Sequence, residues 1–195
     1  MKRKLVVGTL AVAAGVAVWT WSASASGRDV ATRSVGERLL GPIASIAASL
    51  QWVRVDDAWN RGRSELADRR AEFALELAPG DPAGWLYYSR HLIYDRASRL
   101  REPLAVDRER WVRAGLAVLD RGERECRAPG AMAFQRGVVF LGLAQVDDED
   151  RALPISRREA WTSAAESFER AARAGEPLAR EAAELARQRA DESAR

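Results

Sequence analysis

Residues 62–85 read GRSELADRRAEFALELAPGDPAGW, and this stretch holds the features from which the architecture can be predicted. After Ser64, alanine and leucine recur at helical spacing. Gly62 precedes that pattern, and Pro-Gly-Asp-Pro at 79–82 interrupts it. We therefore predict a helix over residues 64–78 that is bounded by a chain reversal at each end.

The chain on both sides repeats this alternation of helical segments and breaks. Pro42 and Pro129 suit the first turn of a helix, and Ser156 suits an N-cap. Gly122 and Gly175 are expected to end helices. No segment alternates apolar and polar residues over the length that a half-buried strand requires. We predict an all-α fold with seven helices, over residues 42–61, 64–78, 82–94, 107–120, 129–145, 157–174 and 178–190.

The spacing of small residues points to an internal repeat. Steps of five, seven and five residues separate Gly62, Ala67, Ala74 and Pro79. This spacing resembles the tetratricopeptide repeat (TPR), in which glycine closes the first helix of a pair and proline ends the second. The resemblance implies a solenoid of antiparallel helix hairpins, with three pairs over about residues 44–174 and a capping helix after them.

Other residues extend the resemblance, and some depart from it. Trp85 falls where the aromatic residue of the next repeat belongs, and the sixth helix contains a small–aromatic–small pattern around Phe168. Ala71 occupies the place of an expected aromatic, and the loops at 96–106 and 146–155 are enlarged. A helical bundle without repeats is the alternative architecture.

The N-terminal segment predicts export across a membrane. Three basic residues at 2–4 precede an uncharged stretch, residues 5–27, whose first 17 residues are nearly all apolar. As a helix this stretch would extend roughly 34 Å, enough to cross a hydrocarbon core of about 30 Å. The positive-inside rule keeps the basic cluster cytoplasmic and places the following chain outside the cytoplasm.

Two interpretations of this segment remain open. Ala23-Ser24-Ala25 has the form of a signal-peptidase site, so cleavage after Ala25 would release a soluble chain. Trp19 and Trp21 lie where interfacial aromatic residues would anchor a permanent span. We favour a single-pass anchor, so we expect an anchor or signal peptide at 1–27, a polar tether at 28–38 and the helical domain at 39–195.

Composition argues against several classes of function. The chain has 31 basic and 28 acidic residues, but without the three basic residues at 2–4 the counts are 28 and 28, so we expect no nucleic-acid partner. Cys126 is the only cysteine and His91 the only histidine. The acidic run at 147–150 lacks the spacing of a calcium loop and is expected to be solvated. We therefore expect no cofactor, no metal and no catalysis by this chain alone.

The resemblance also implies a binding face. In such repeats the first helix of each pair lines a concave surface that receives a partner. Trp52 and Trp59 are two helical turns apart and therefore share a face, although both could instead pack against the neighbouring hairpin. The positions carried over to this surface, which we predict to bind a partner, are Trp52, Asp56, Trp59, Asn60, Leu86, Arg90 and Tyr94.

These observations together lead to a functional expectation. We expect a membrane-tethered, extracytoplasmic scaffold that binds an envelope protein or a peptide segment through this inner face. The alternative is a cleaved, soluble periplasmic subunit that completes an enzyme or assembly and has no peptide groove. A hydrolase that works through His91 is a third hypothesis, which would need a carboxylate to orient the imidazole and a nearby nucleophile.

Overall fold

The computed structural model describes residues 41–193, apart from the side chain of Pro42, and every regular element within that range is helical. The predicted all-α class is confirmed for this range. The seven α-helices are α1 (Pro42–Asn60), α2 (Ser64–Leu77), α3 (Pro82–Arg90), α4 (Ala105–Glu125), α5 (Pro129–Gln145), α6 (Arg157–Arg173) and α7 (Ala179–Glu192).

The helix ends follow the local signals in the sequence at most positions. The side chain of Asp81 accepts a hydrogen bond from the backbone N–H of Ala83 at the start of α3. Ser156 and Glu159 form a reciprocal capping box at the start of α6. Gly62 has a positive φ of 71° in the turn between α1 and α2, a conformation that favours glycine.

The prediction that Gly122 ends the fourth helix is wrong, because α4 continues to Glu125. Gly122 instead lies where three helices meet. A Cβ atom at this position would come within 2.9 Å of the Met132 sulfur and 3.0 Å of the Trp85 side chain. The missing side chain therefore permits close packing and does not terminate the helix.

The third helix ends in a wider turn than predicted. After Arg90 the chain forms a π-helical turn over His91–Arg96, in which the N–H of Ala97 donates to the carbonyl of Leu92. Such turns add a residue to the helical repeat and reorient the side chains that follow. This turn carries His91 and Tyr94, two residues that the sequence analysis considered for function.

Successive helices pack against one another around one main hydrophobic core. The pair of α1 and α2 contacts α3, α4 packs against both α3 and α5, and α6 lies between α5 and α7. Trp85, Leu119, Met132 and Phe168 are among the largest side chains that are almost fully buried in the core. This order of contacts is that of a helical-repeat arrangement.

Only some of the apolar residues of α1 enter the core. Val55 is buried, and Trp52 and Trp59 are partly buried against the main core. Ile46, Leu50 and Val53 are 60%, 58% and 66% exposed, so these three apolar side chains lie at the surface.

The expected anchor or signal peptide and the tether lie outside the described residues. Between residues 41 and 193, none of the helices is long and apolar enough to cross a membrane.

Candidate functional site

The aromatic residues of α1 pack against α3. The Tyr87 ring lies 5.5 Å from the Trp52 ring in an edge-to-face arrangement and 6.0 Å from the Trp59 ring. Asp56 accepts a hydrogen bond of 2.5 Å from the Tyr87 hydroxyl. Trp52, Asp56 and Trp59 therefore share one face of α1, as predicted from their spacing, and that face is largely occupied by the neighbouring hairpin.

Tyr87 is a residue of this face that sequence reasoning missed. It is 45% exposed, although it contacts both tryptophans. Burial raises the pKa of its hydroxyl to about 12, and the hydrogen bond to Asp56 adds to the effect. The phenol thus remains a hydrogen-bond donor at neutral pH. Its spacing from Arg90 and Tyr94, three and seven residues, is the helical pattern that could have identified it.

A buried polar cluster lies beneath Trp59. The imidazole of His91 stacks on the Trp59 indole with ring centroids 3.4 Å apart, and its Nδ1 lies 3.0 Å from a carboxylate oxygen of Asp95. Burial lowers the pKa of His91 despite the nearby carboxylate. Burial also raises the pKa of Asp68, while Arg96, His91, Trp59 and Tyr88 lower it by smaller amounts.

Three buried polar atoms of this cluster lack a partner in hydrogen-bonding geometry: Trp59 Nε1, Asp68 Oδ1 and His91 Nε2. Asp95 provides the carboxylate that a catalytic His91 would need. No hydroxyl or thiol in the described part of the chain contacts His91 Nε2, and the Trp59 ring lies against the face of the imidazole. A hydrolytic site would need such a nucleophile within hydrogen-bonding distance of the imidazole.

A second polar network connects α3 with α5. Arg90 donates through Nε and Nη2 to the Gln135 side-chain oxygen, at 3.2 and 2.9 Å. Gln135 in turn donates from Nε2 to the Tyr94 hydroxyl at 3.2 Å. Arg90 and Tyr94 are exposed, whereas Gln135 is buried. The third hairpin thus contributes Gln135 to the predicted face, a residue that the sequence register alone did not identify.

The remaining predicted residues lie at the edges of this arrangement. Asn60 is exposed at the last position of α1. Leu86 is partly buried and packs against the main core. The structure therefore brings the predicted residues into two groups, one around Tyr87 and one around Gln135.

The acidic run at 147–150 is paired with arginines. Asp147 faces Arg157 at 3.6 Å, and Asp148 faces the buried Arg151 at 2.7 Å. Asp150 pairs with Arg99. Over the stretch that the structure covers, no group of histidine, cysteine or acidic residues is arranged to hold a metal ion.

The site is thus an aromatic and polar face formed by α1, α3 and α5, without a metal-ligand cluster among the residues described. Comparisons of the chain with models of known protein families, with characterised proteins and with solved structures found no match.

Proposed function

We propose that this protein is a membrane-tethered, extracytoplasmic TPR-like scaffold that binds another envelope protein through the face formed by α1, α3 and α5. The main support is the continuity of that face across three hairpins. Asp56 joins α1 to α3 through Tyr87, and Gln135 joins α3 to α5 through Arg90 and Tyr94. These bonds hold exposed aromatic and charged groups in fixed positions.

The chemistry of the face suits protein recognition. Tyr87 and Tyr94 are close to half exposed, and Arg90 is exposed beside them. Tyrosine and arginine are enriched at the centres of protein interfaces, because each offers a large contact area together with a polar group. Trp52 and Trp59 then act as the support that positions Tyr87, and the exposed residues make the contact.

Site-specific photocross-linking in the host membrane tests this proposal. The cross-linking residue benzoylphenylalanine is placed at Tyr94, or at Leu185 on α7 as a matched control, since both residues are 49% exposed. We expect one envelope protein to be cross-linked at position 94 and not at 185. Equal products from the two positions, or none from either, would contradict a partner on this face.

A binding measurement with the cross-linked partner then tests the residues. Arg90→Glu reverses one charge of the face, and Arg180→Glu makes the same change at an exposed position of α7. We expect Arg90→Glu to weaken binding about tenfold or more and Arg180→Glu to leave it nearly unchanged. Equal affinities of the two variants would refute the assignment of this face.

The cleaved, soluble accessory subunit is the second candidate, and the Ala23-Ser24-Ala25 sequence favours it. The intact mass of the protein from its host distinguishes the two states, because cleavage after Ala25 removes the first 25 residues. The cross-linking experiment also distinguishes the two candidates, because an accessory subunit without a peptide groove should give no product specific to position 94.

A further inference from the structure

A cavity of about 420 Å³ lies between the π-helical turn, α4, α5 and the loop that follows α5. Its walls are mainly aliphatic, and one end carries charged side chains. The wall includes Ile93, Tyr94, Ala97, Val138, Gly142 and Val146. The volume lies in the range of roughly 300–1,000 Å³ that is typical of small-molecule sites.

Gly142 is an exposed glycine of α5 that lines this cavity. Glycine in a helix interior is destabilising by about 1 kcal/mol relative to alanine. The other helical glycines of the described chain each have a close neighbour: a Cβ at Gly137 would lie 2.6 Å from the Phe168 ring, and one at Gly130 would lie 3.1 Å from Ala174. A Cβ at Gly142 would meet nothing within 4 Å.

Packing within the chain therefore explains why the other helical positions are glycine, but it does not explain the glycine at position 142. Its position on the cavity wall supplies a reason, because a side chain there would project into space that the chain itself leaves open. Glycine is found where a ligand or another backbone approaches a helix closely.

Arg108 defines the polar end of the cavity. It is only 3% exposed, and it donates to the carbonyl oxygens of Glu102, Pro103 and Asp150. These three bonds use three of the five N–H groups of a guanidinium. No carboxylate among the described residues pairs with it. A buried positive charge without a counter-ion favours an anionic ligand.

The nearby charges add to this preference. Arg99 and Asp150 also line the cavity and pair with each other at 2.5 Å. The charged residues of the lining are therefore two arginines and one aspartate, which together carry a formal charge of +1. A bound carboxylate would neutralise that charge.

The two enlarged loops make the cavity rigid. Arg108 joins the loop before α4 to the turn at 148–150. Arg151, which is 5% exposed, donates to the carbonyl oxygens of Leu143, Val146 and Ile155. Both loops contribute residues to the wall, so these arginines preorganise it.

We propose that this cavity binds an aliphatic carboxylate of medium chain length. The chain lies against Gly142 and Val138, and the carboxylate interacts with Arg108 and Arg99. The cavity shares Tyr94 with the proposed partner-binding face, but ligand binding requires neither a protein partner nor the aromatic residues of α1.

Isothermal titration calorimetry tests the proposal. Octanoate is titrated into the full chain in lipid nanodiscs, and the heat measured with empty nanodiscs is subtracted. Gly142→Leu fills the cavity with a residue of higher helix propensity, so the variant should fold at least as stably as the parent. We expect it to bind octanoate about tenfold or more weakly. Ala117→Leu, at an exposed position of α4 outside the cavity, should bind like the parent.

Two further measurements test whether the negative charge of the ligand contributes to binding. Octanol should bind about fivefold or more weakly than octanoate, because it cannot neutralise the arginines. Asp150→Asn removes the competing carboxylate and keeps the backbone carbonyl that holds Arg108, so it should strengthen octanoate binding by about threefold or more without affecting octanol. Absence of octanoate binding, equal binding by Gly142→Leu and its parent, or equal binding of octanoate and octanol would overturn the proposal.

Discussion

Helices α5, α6 and α7 pack through small residues, whereas α1 docks on α3 through large aromatic and polar side chains. In the C-terminal part, Phe168 fits against Gly137, and the facing positions of α6 and α7 are buried alanines, among them Ala164 and Ala183. In the N-terminal part, the tryptophans of α1 contact Tyr87 and His91, and three buried polar atoms have no partner.

This difference indicates which helices contribute most to stability and which expose groups for recognition. Small residues let helix backbones approach closely and leave few polar atoms to satisfy. Aromatic residues at a half-exposed interface keep polar edges available for a ligand or partner. We infer that the C-terminal helices form the stable part of the domain and that the contact between α1 and α3 is adapted for recognition.

The two parts should differ most in the free energy of unfolding that is lost when one aromatic residue is removed from each. Phe168→Ala creates a cavity at a site that is 1% exposed and should lower the free energy of unfolding by about 4 kcal/mol. Trp52→Ala removes a larger but only partly buried ring and should lower it by about 2 kcal/mol. Chemical denaturation followed by circular dichroism measures both values. Equal losses would remove the distinction between the two parts.

Two tryptophans that differ in hydrogen bonding provide the next test. Trp85 is fully buried, and its indole N–H donates to the Pro79 carbonyl at 2.8 Å. Trp85→Phe leaves that oxygen unpaired and should lower the free energy of unfolding by about 3 kcal/mol. Trp59→Phe removes a buried N–H that lies near Asp68 but outside good hydrogen-bonding geometry, so it should change stability by less than about 1 kcal/mol. A large loss with Trp59→Phe would show that its N–H is satisfied.

The same substitution at two glycines of α5 should change the free energy of unfolding in opposite directions. Gly137→Ala places a methyl group against the Phe168 ring and should lower the free energy of unfolding by about 2 kcal/mol. Gly142→Ala enters open space and should raise it by about 0.5–1 kcal/mol through helix propensity. Thermal and chemical denaturation of the two variants measure the difference. A loss of stability with Gly142→Ala would mean that the chain itself fills that space.

The sequence predicted the elements better than the contacts between them. Proline, N-cap and turn-glycine signals are local, so the positions of all seven helices could be predicted from neighbouring residues. Gly122 was misassigned because a glycine that ends a helix and a glycine that permits close packing look alike in sequence. The difference depends on Trp85 and Met132, which belong to other helices.

The candidate site could be predicted only within each helix. The shared face of Trp52, Asp56 and Trp59 follows from helical periodicity. Gln135 could not be assigned, because its role depends on how the third hairpin stacks on the second. The cavity could not be predicted from the sequence for a similar reason. Arg108 holds its wall through hydrogen bonds to backbone carbonyls, which every residue has.

The smallest expected effect concerns the pH dependence of the N-terminal part. Burial lowers the pKa of His91 below its ordinary value of 6.5, so the unfolded chain binds the proton more tightly than the folded chain does. Stability should therefore fall as the pH is lowered from about 7.5 to about 5.5, by less than about 1 kcal/mol. The Asp68 carboxylate acts in the opposite direction, because its negative charge raises the pKa of His91 in the folded chain.

Denaturation of two variants across this pH range separates the two contributions. His91→Gln should flatten the fall in stability, since the titrating group is removed. Asp68→Asn should make the fall steeper, because loss of the Asp68 carboxylate lowers the pKa of folded His91 further. If His91→Gln leaves the slope unchanged, His91 is hydrated in the folded protein, and the contact between α1 and α3 is looser than its stacked rings indicate.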